Sequence, residues 1–298
     1  MSFTDPYRQA SSRYGFVPER RFRRRRLNIG CILLLLLIVG IPVLTLLPFI
    51  PGWSIGPTTI STSAQPLLIV NSSRYEKIDL PLIRIHVGSD PQKIVVQKIS
   101  QNPIHLPWSM GIDGFQQNSD HSIIILNGDP VTDSILDIAM PANSDLNVDT
   151  NAARIDVTGL TGHLNLSSNS GSITLTHCHL SGASLIADNT GLLTIKDSAL
   201  NGAATIYNNT GSIVFQGSIG SSGIYSFESN TGSIDATLSK QNSFHLNVFN
   251  NTGTNSSTDP GVNVQGKEAH LNVGTDPEAQ VTFKDNTGNI TISTQTGA

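Results

Sequence analysis

His177-Cys178-His179 is the compact group in this chain whose residue types could hold a metal. In an extended segment the two histidines share a face and the cysteine points the other way, so the tripeptide offers at most two ligands. No cysteine pair with zinc-site spacing accompanies it, and we expect neither metal nor cofactor. Cys178 is the sole thiol beyond residue 50, so no disulfide can staple that part. Acid–base hydrolysis would need two convergent carboxylates. Asp156 and Asp235 share a column of the repeat described below but lie four coils apart, about 19 Å at about 4.8 Å per coil. No Ser/His/Asp set is brought together by the same register. The glycine-rich turns open no helical pattern, which a phosphate-binding loop requires. We therefore expect no enzyme and no catalytic residues. The short glycosylation motif at Asn71, Asn165, Asn208, Asn250 and Asn289 carries little weight in so Asn/Thr-rich a chain.

What positions these residues is a repeat. Asn169-Ser170-Gly171 recurs as Asn189-Thr190-Gly191, Asn209-Thr210-Gly211, Asn230-Thr231-Gly232 and Asn251-Thr252-Gly253, and after a gap as Asn286-Thr287-Gly288. A fixed period of about 20 residues is the signature of a solenoid, in which each coil buries its apolar face only against its neighbours. Each glycine precedes an apolar-polar alternation of strand type. The alignment predicts inward columns Ile155/Val157, Ile173/Leu175, Leu193/Ile195, Ile213/Phe215 and Ile234/Ala236 on a first strand, and Leu166, Ile186, Ile206 and Phe227 on a second. Leu160, Leu180 and Leu200 recur at the connecting turn. The glycines serve corners that need positive φ, and the asparagines Asn151, Asn169, Asn189, Asn209 and Asn230 stack into a side-chain ladder. The fold class is thus all-β: a single-chain β-solenoid, or β-helix, of about 20-residue coils.

The two outward faces differ. The first strand presents Asp156, Thr174, Thr194, Val214 and Asp235, a largely polar row. The second presents Ala183, Leu185, Ala187, then Ala203, Thr205, Tyr207, then Ile224, Ser226, Glu228. Contiguous apolar surface marks an interaction site, and Tyr is a frequent anchor. The candidate partner-binding residues are Leu185, Tyr207 and Ile224, unless the segment 67–140 or the loop 254–267 folds over them.

Charge is unevenly placed. Residues 1–26 carry eight arginines against Asp5 and Glu19, a net of +6, leaving −10 for the rest of a chain of formal charge −4. The uncharged stretch 27–50 after them is long enough to span a membrane. Flanking arginines keep 1–26 in the cytoplasm and send the remainder outward, as a signal-anchor. Arginines beside a span orient it and attract anionic headgroups; without aromatic interleaving beyond Phe22 they do not read as a nucleic-acid patch. Residues 51–66 have linker composition. The exported domain then runs 67–298: divergent N-terminal coils or cap over 67–140, regular repeats over 141–253, a protruding loop over 254–267, and a final coil over 268–298. Within the first part, 102–120 reads as a loop.

The run from Leu146 to Val157, the Ser168-Asn-Ser-Gly-Ser-Ile-Thr-Leu175 repeats and the closing Asn286-Thr-Gly-Asn-Ile-Thr-Ile292 resemble the bacterial "putative adhesin" domain family, a domain of unknown function. The resemblance covers roughly 67–297 and implies a β-solenoid behind a membrane anchor. It implies a cell-surface or envelope location and transfers no functional residues. Ala153 stands where later coils have glycine. The expectation is a single-pass cell-membrane protein, N-terminus cytoplasmic and C-terminal domain extracytoplasmic, that binds a surface protein or glycan, or itself, in an adhesive or scaffold-like role. Two rivals are an accessory or sensor of an envelope signalling system and a polysaccharide-active β-helix enzyme.

Overall fold

The computed structural model describes residues 36–40, 57–62, 66–71, 82–100, 115–117, 123–126 and 134–295. The chain divides into two compact units, Met1–Leu46 and Leu47–Ala298. Of the first, one π-helical turn is described, Leu36–Gly40, with Leu37, Ile38 and Val39 exposed. No helix among the described residues is long and apolar enough to cross a membrane. The rest of the expected span 27–50 and all of the tail 1–26 lie outside the described residues.

The second unit is all-β. Its leading strands are β1 (Thr58–Ser61), β2 (Leu67–Asn71), β3 (Leu82–Val87), β4 (Lys93–Ser100), β5 (Phe115–Gln117), β6 (Ile123–Leu126) and β7 (Ser134–Met140). The repeat forms β8 (Asp145–Thr150), β9 (Arg154–Thr158), β10 (Leu164–Ser168), β11 (Ile173–Thr176), β12 (His179–Thr190), β13 (Leu193–Thr210), β14 (Ile213–Thr231) and β15 (Ile234–Ser239). Then come β16 (Phe244–Thr252), β17 (Asn255–Ser257), β18 (Glu268–Val273), β19 (Ala279–Thr287) and β20 (Ile290–Gln295). All belong to one curled sheet.

Alternation decides what each strand buries. Ile155, Ile173, Leu193, Ile213 and Ile234 pair in parallel register, as do Val157, Leu175, Ile195, Phe215 and Ala236. Leu166, Ile186, Ile206 and Phe227 form the facing column. All are buried, and Leu160, Leu180 and Leu200 join them. Across the interior the Phe227 ring lies 5.1 Å from Phe215, and along its own column it stacks 4.9 Å from Phe283. Each fully buried aliphatic or aromatic side chain contributes about 1.5–3 kcal/mol.

The corners hold two polar columns. The asparagine amides form the expected ladder: Asn169 donates to Asn151 (2.9 Å), Asn189 to Asn169 (2.9 Å), Asn209 to Asn189 (2.8 Å) and Asn230 to Asn209 (3.1 Å). It continues from Asn286 to Asn230 (3.1 Å) and from Asn251 to Asn286 (2.9 Å). Glycine is required three residues into each phrase because the backbones touch: a Cβ on Gly191 would collide with the carbonyl oxygen of Gly171, and one on Gly211 with that of Gly191. Directly before each ladder asparagine, Thr150, Ser168, Asp188, Asn208, Ser229, Asp285 and Asn250 stack in register and are buried.

The ladder order exposes a departure from simple winding. β14 and β15 pair with β19 and β20, and β16 and β17 lie outside those. The segment expected to close the array is therefore inserted ahead of its predecessor. The N-terminal end mirrors this, with β2 and β3 held between β6/β7 and β8/β9. Antiparallel strands flank the array: β5 on β6, β4 on β7 with β1 on β4, and β18 on β16.

Three expected segments differ. The stretch 51–66, read as a linker, contains β1, whose Ile60 is buried. The stretch 102–120, read as a loop, contributes β5. The loop 254–267 does not simply protrude: β17 pairs with β20, and Val262 and Val264 are buried in the core, because two apolar residues at i and i+2 can turn inward together.

Candidate functional site

The outward face of the second-strand stack carries the sequence-predicted residues. Leu185 (β12), Tyr207 (β13) and Ile224 (β14) are 42%, 38% and 62% exposed. Neither 67–140 nor 254–267 covers them among the described residues. They do not form one continuous patch. Leu185 faces Asn165 and Thr205, Tyr207 faces Ala187 and Glu228, and Ile224 faces Ala203 and Gln280. Leu185 and Tyr207 are diagonal neighbours, within reach of long side chains, whereas Ile224 lies further along its strand.

The row through Tyr207 gathers more than the sequence indicated. In register it reads Ala187, Tyr207, Glu228, Lys284, Phe249. Lys284 Nζ lies 3.8 Å from Glu228 Oε2, and Glu228 Oε1 accepts from Ser226 Oγ at 3.0 Å. Each aromatic borders a shallow pocket. One of about 220 Å³ is lined by Tyr207, Asp149, Ser167, Asn169 and Asn189, and one of about 270 Å³ by Phe249, Lys267, Glu268, Lys284 and Asn286. Phe249 also packs edge-on against His270, 5.5 Å away. Tyr207 and Phe249 thus flank the Glu228–Lys284 pair in one row. Sequence reasoning missed Phe249 and Lys284 because their repeats are stacked out of chain order.

The chemistry-bearing residues fall elsewhere. His177 is not extended as expected but lies at a corner with φ 54, so the i, i+2 geometry does not apply to it. Cys178 is buried and free, and burial pushes its thiol above the ordinary range. Among the described residues no group of three or more His, Cys, Asp or Glu is arranged to hold a metal. Asp156 and Asp235 do share a row, separated by Thr174, Thr194 and Val214. Asp156 accepts from Arg154 Nε at 2.9 Å. Asn208 and Asn250 are buried and their amides are engaged with Gly191 O and Gly288 O, which leaves them no role as glycan acceptors in the folded chain.

Buried ionisable groups were also missed. Asp188 is 1% exposed, and its carboxylate oxygens make no hydrogen bond of normal geometry although backbone N–H groups lie close by. Desolvation pushes its pKa up to about 6, against backbone N–H groups of Thr190, Asn189 and Gly171 that favour the anion. Asp285, in the same column, is shifted upward for the same reason. The signal available was the invariably polar residue ahead of each Asn-Ser/Thr-Gly phrase.

No family model and no curated protein matches this sequence. Among solved structures it is similar to a putative cell adhesion protein from Clostridium sporogenes ATCC 15579, at 8% identity and TM-score 0.36, over 81% of this chain and 100% of that one. It is also similar to a putative adhesin from Bacteroides fragilis NCTC 9343, at 10% identity and TM-score 0.33, over 81% of this chain and 98% of that one. Likeness at this level decides nothing, and the functional reading rests on the residues of this chain.

Proposed function

We propose that the chain is a non-enzymatic, membrane-anchored envelope protein that binds a surface protein, a glycan or a second copy of itself in an adhesive or scaffold-like role. Its curled sheet is read as a single-chain β-solenoid, supported by parallel pairing between residues 18, 20, 20 and 21 positions apart along the asparagine ladder. The arginine-flanked apolar run 27–50 supports the anchor. One observation carries the binding role: Leu185, Tyr207 and Ile224 stand exposed on three adjoining strands, and Tyr207 faces Glu228 of the Glu228–Lys284 pair. Changing all three to Ser in the full chain, displayed on cells, abolishes adhesion or self-association while the melting temperature stays within about 2 °C, since such exposed side chains contribute little to stability. A large loss of stability, or adhesion unchanged in the variant, contradicts the reading. Protease added to intact cells should digest the part after residue 51 and spare the tail; protection of the C-terminus contradicts the topology.

A further inference from the structure

At the corner between β11 and β12, and again within β13, the chain takes His177 and Asp197 through the left-handed region, with φ 54 and 48. The two are equivalent positions of successive repeats: Thr176 pairs with Lys196 before them and His179 with Ala199 after them. The next repeat omits the residue. Ile195 pairs with Phe215 and Ser198 with Gly217, so two residues on β13 stand against one on β14. A Cβ on Gly217 would run into the carbonyl oxygen of Ser198, which keeps that floor close and free of side chain. Beside this step lies a groove of about 590 Å³, a size typical of ligand sites, which run about 300–1,000 Å³.

The Ser198 side chain ties the corner together. Ser198 Oγ accepts from the Cys178 N–H at 3.1 Å and donates to Lys196 O at 2.7 Å. Glycine would adopt this backbone without strain, yet both repeats keep a hydrogen-bonding side chain there. His177, His179, Asp197, Gln241 and Gln295 line the groove together with serine hydroxyls, and among the described residues no lysine, arginine, Phe, Tyr or Trp does.

That set selects a ligand chemistry. An anion would meet the Asp197 carboxylate with no lysine or arginine among the described lining residues to offset it. An apolar molecule would strip water from carboxamides and imidazoles and leave them unpaired. Paired hydroxyls, by contrast, can donate to the carboxylate and both donate to and accept from carboxamide and imidazole groups. We propose that this groove binds a neutral oligosaccharide, with Asp197, Gln241 and Gln295 as its principal hydrogen-bonding residues and His177 and His179 beside them. The inference goes beyond the proposed function and does not depend on the Leu185/Tyr207/Ile224 face.

The test uses the full chain in a detergent without a sugar headgroup, with the histidine side-chain NMR signals as the probe. Cellotriose, maltotriose and chitotriose are titrated, with inorganic phosphate and a heparin disaccharide as anionic counterparts. At least one neutral trisaccharide should shift the His177 and His179 signals and saturate with a Kd of about 1 mM. Asp197→Gly removes the side chain and relieves the backbone, and Gln241→Ala trims one amide. Each should weaken binding about tenfold or more with no fall in melting temperature, while the triple Ser variant of the other face binds as wild type. Failure of all three trisaccharides to saturate by about 10 mM overturns the proposal. So does an anionic compound that binds more tightly than any of them, or wild-type binding by Asp197→Gly.

Discussion

The middle of the array and its ends obey different rules. From β8 to β15 each repeat lies on the one before it in the chain. At the C-terminal end, β19 and β20 slip inside β16 and β17, and at the N-terminal end β2 and β3 slip inside β6 and β7. In a simply wound array the last repeat has one neighbour and frays first. Here the last parallel repeat of the sequence has a neighbour on both faces, with buried Val281 and Phe283 held between the β14 and β16 columns. Periodicity therefore builds the interior, and an exchange of order secures the end.

The largest effect should come from removing residues 275–298. This deletes the buried Val281, Phe283, Ile290 and Ile292, on the order of 6–12 kcal/mol of burial, comparable to the whole stability of a domain. Circular dichroism should show loss of cooperative melting; a modest drop, as from one frayed end, would erase the distinction between end and middle. Within the middle, Ile206→Asp places a carboxylate between Ile186 and Phe227 and should cost of order 4 kcal/mol, read as a fall in melting temperature.

Asp188→Asn works in the opposite direction. The folded-state pKa of about 6 lies above the ordinary 3.8, so folding disfavours the anion, and stability is lost as pH rises from 3.8 through about 6. The variant should gain of order 3 kcal/mol at pH 7.5 and less than about 1 kcal/mol near pH 4; an equal gain at both pH values would remove ionisation as the cause. The smallest effect sharpens the comparison most. Asn209 and Asn286 each make two ladder bonds and Asn251 makes one. Replacing either of the first two by Ala should cost about 1 kcal/mol, and replacing Asn251 about half as much. A larger loss at Asn251 than at Asn286 would restore simple chain order.

The columns were legible because alternation and period fixed the same residues twice, once along the strand and once between repeats. Leu166, Ile186, Ile206 and Phe227 needed nothing further. The exchange was not legible, since Asn251-Thr-Gly and Asn286-Thr-Gly are interchangeable as rungs and either order completes the ladder. The buried polar column escaped notice because Thr, Ser, Asp and Asn alternate there, and its common property, a short polar side chain under a corner, is geometric. Val262 and Val264 are too brief an alternation to read as core. The exposed Leu185, Tyr207 and Ile224 followed directly from the register, whereas Phe249 and Lys284 reach the same face only through the exchanged order.

Chain order at the C-terminal end is the claim on which the placement of that face depends, and cysteine pairing tests it directly. Glu228 faces Lys284 in the exchanged order, and in sequential order it would face Phe249. Neighbouring strands lie about 4.8 Å apart, within the span of a disulfide. The doubly substituted chain Glu228→Cys, Lys284→Cys should close a disulfide on mild oxidation, and Glu228→Cys, Phe249→Cys should remain reduced. Cross-linking of the second pair and not the first would contradict the account.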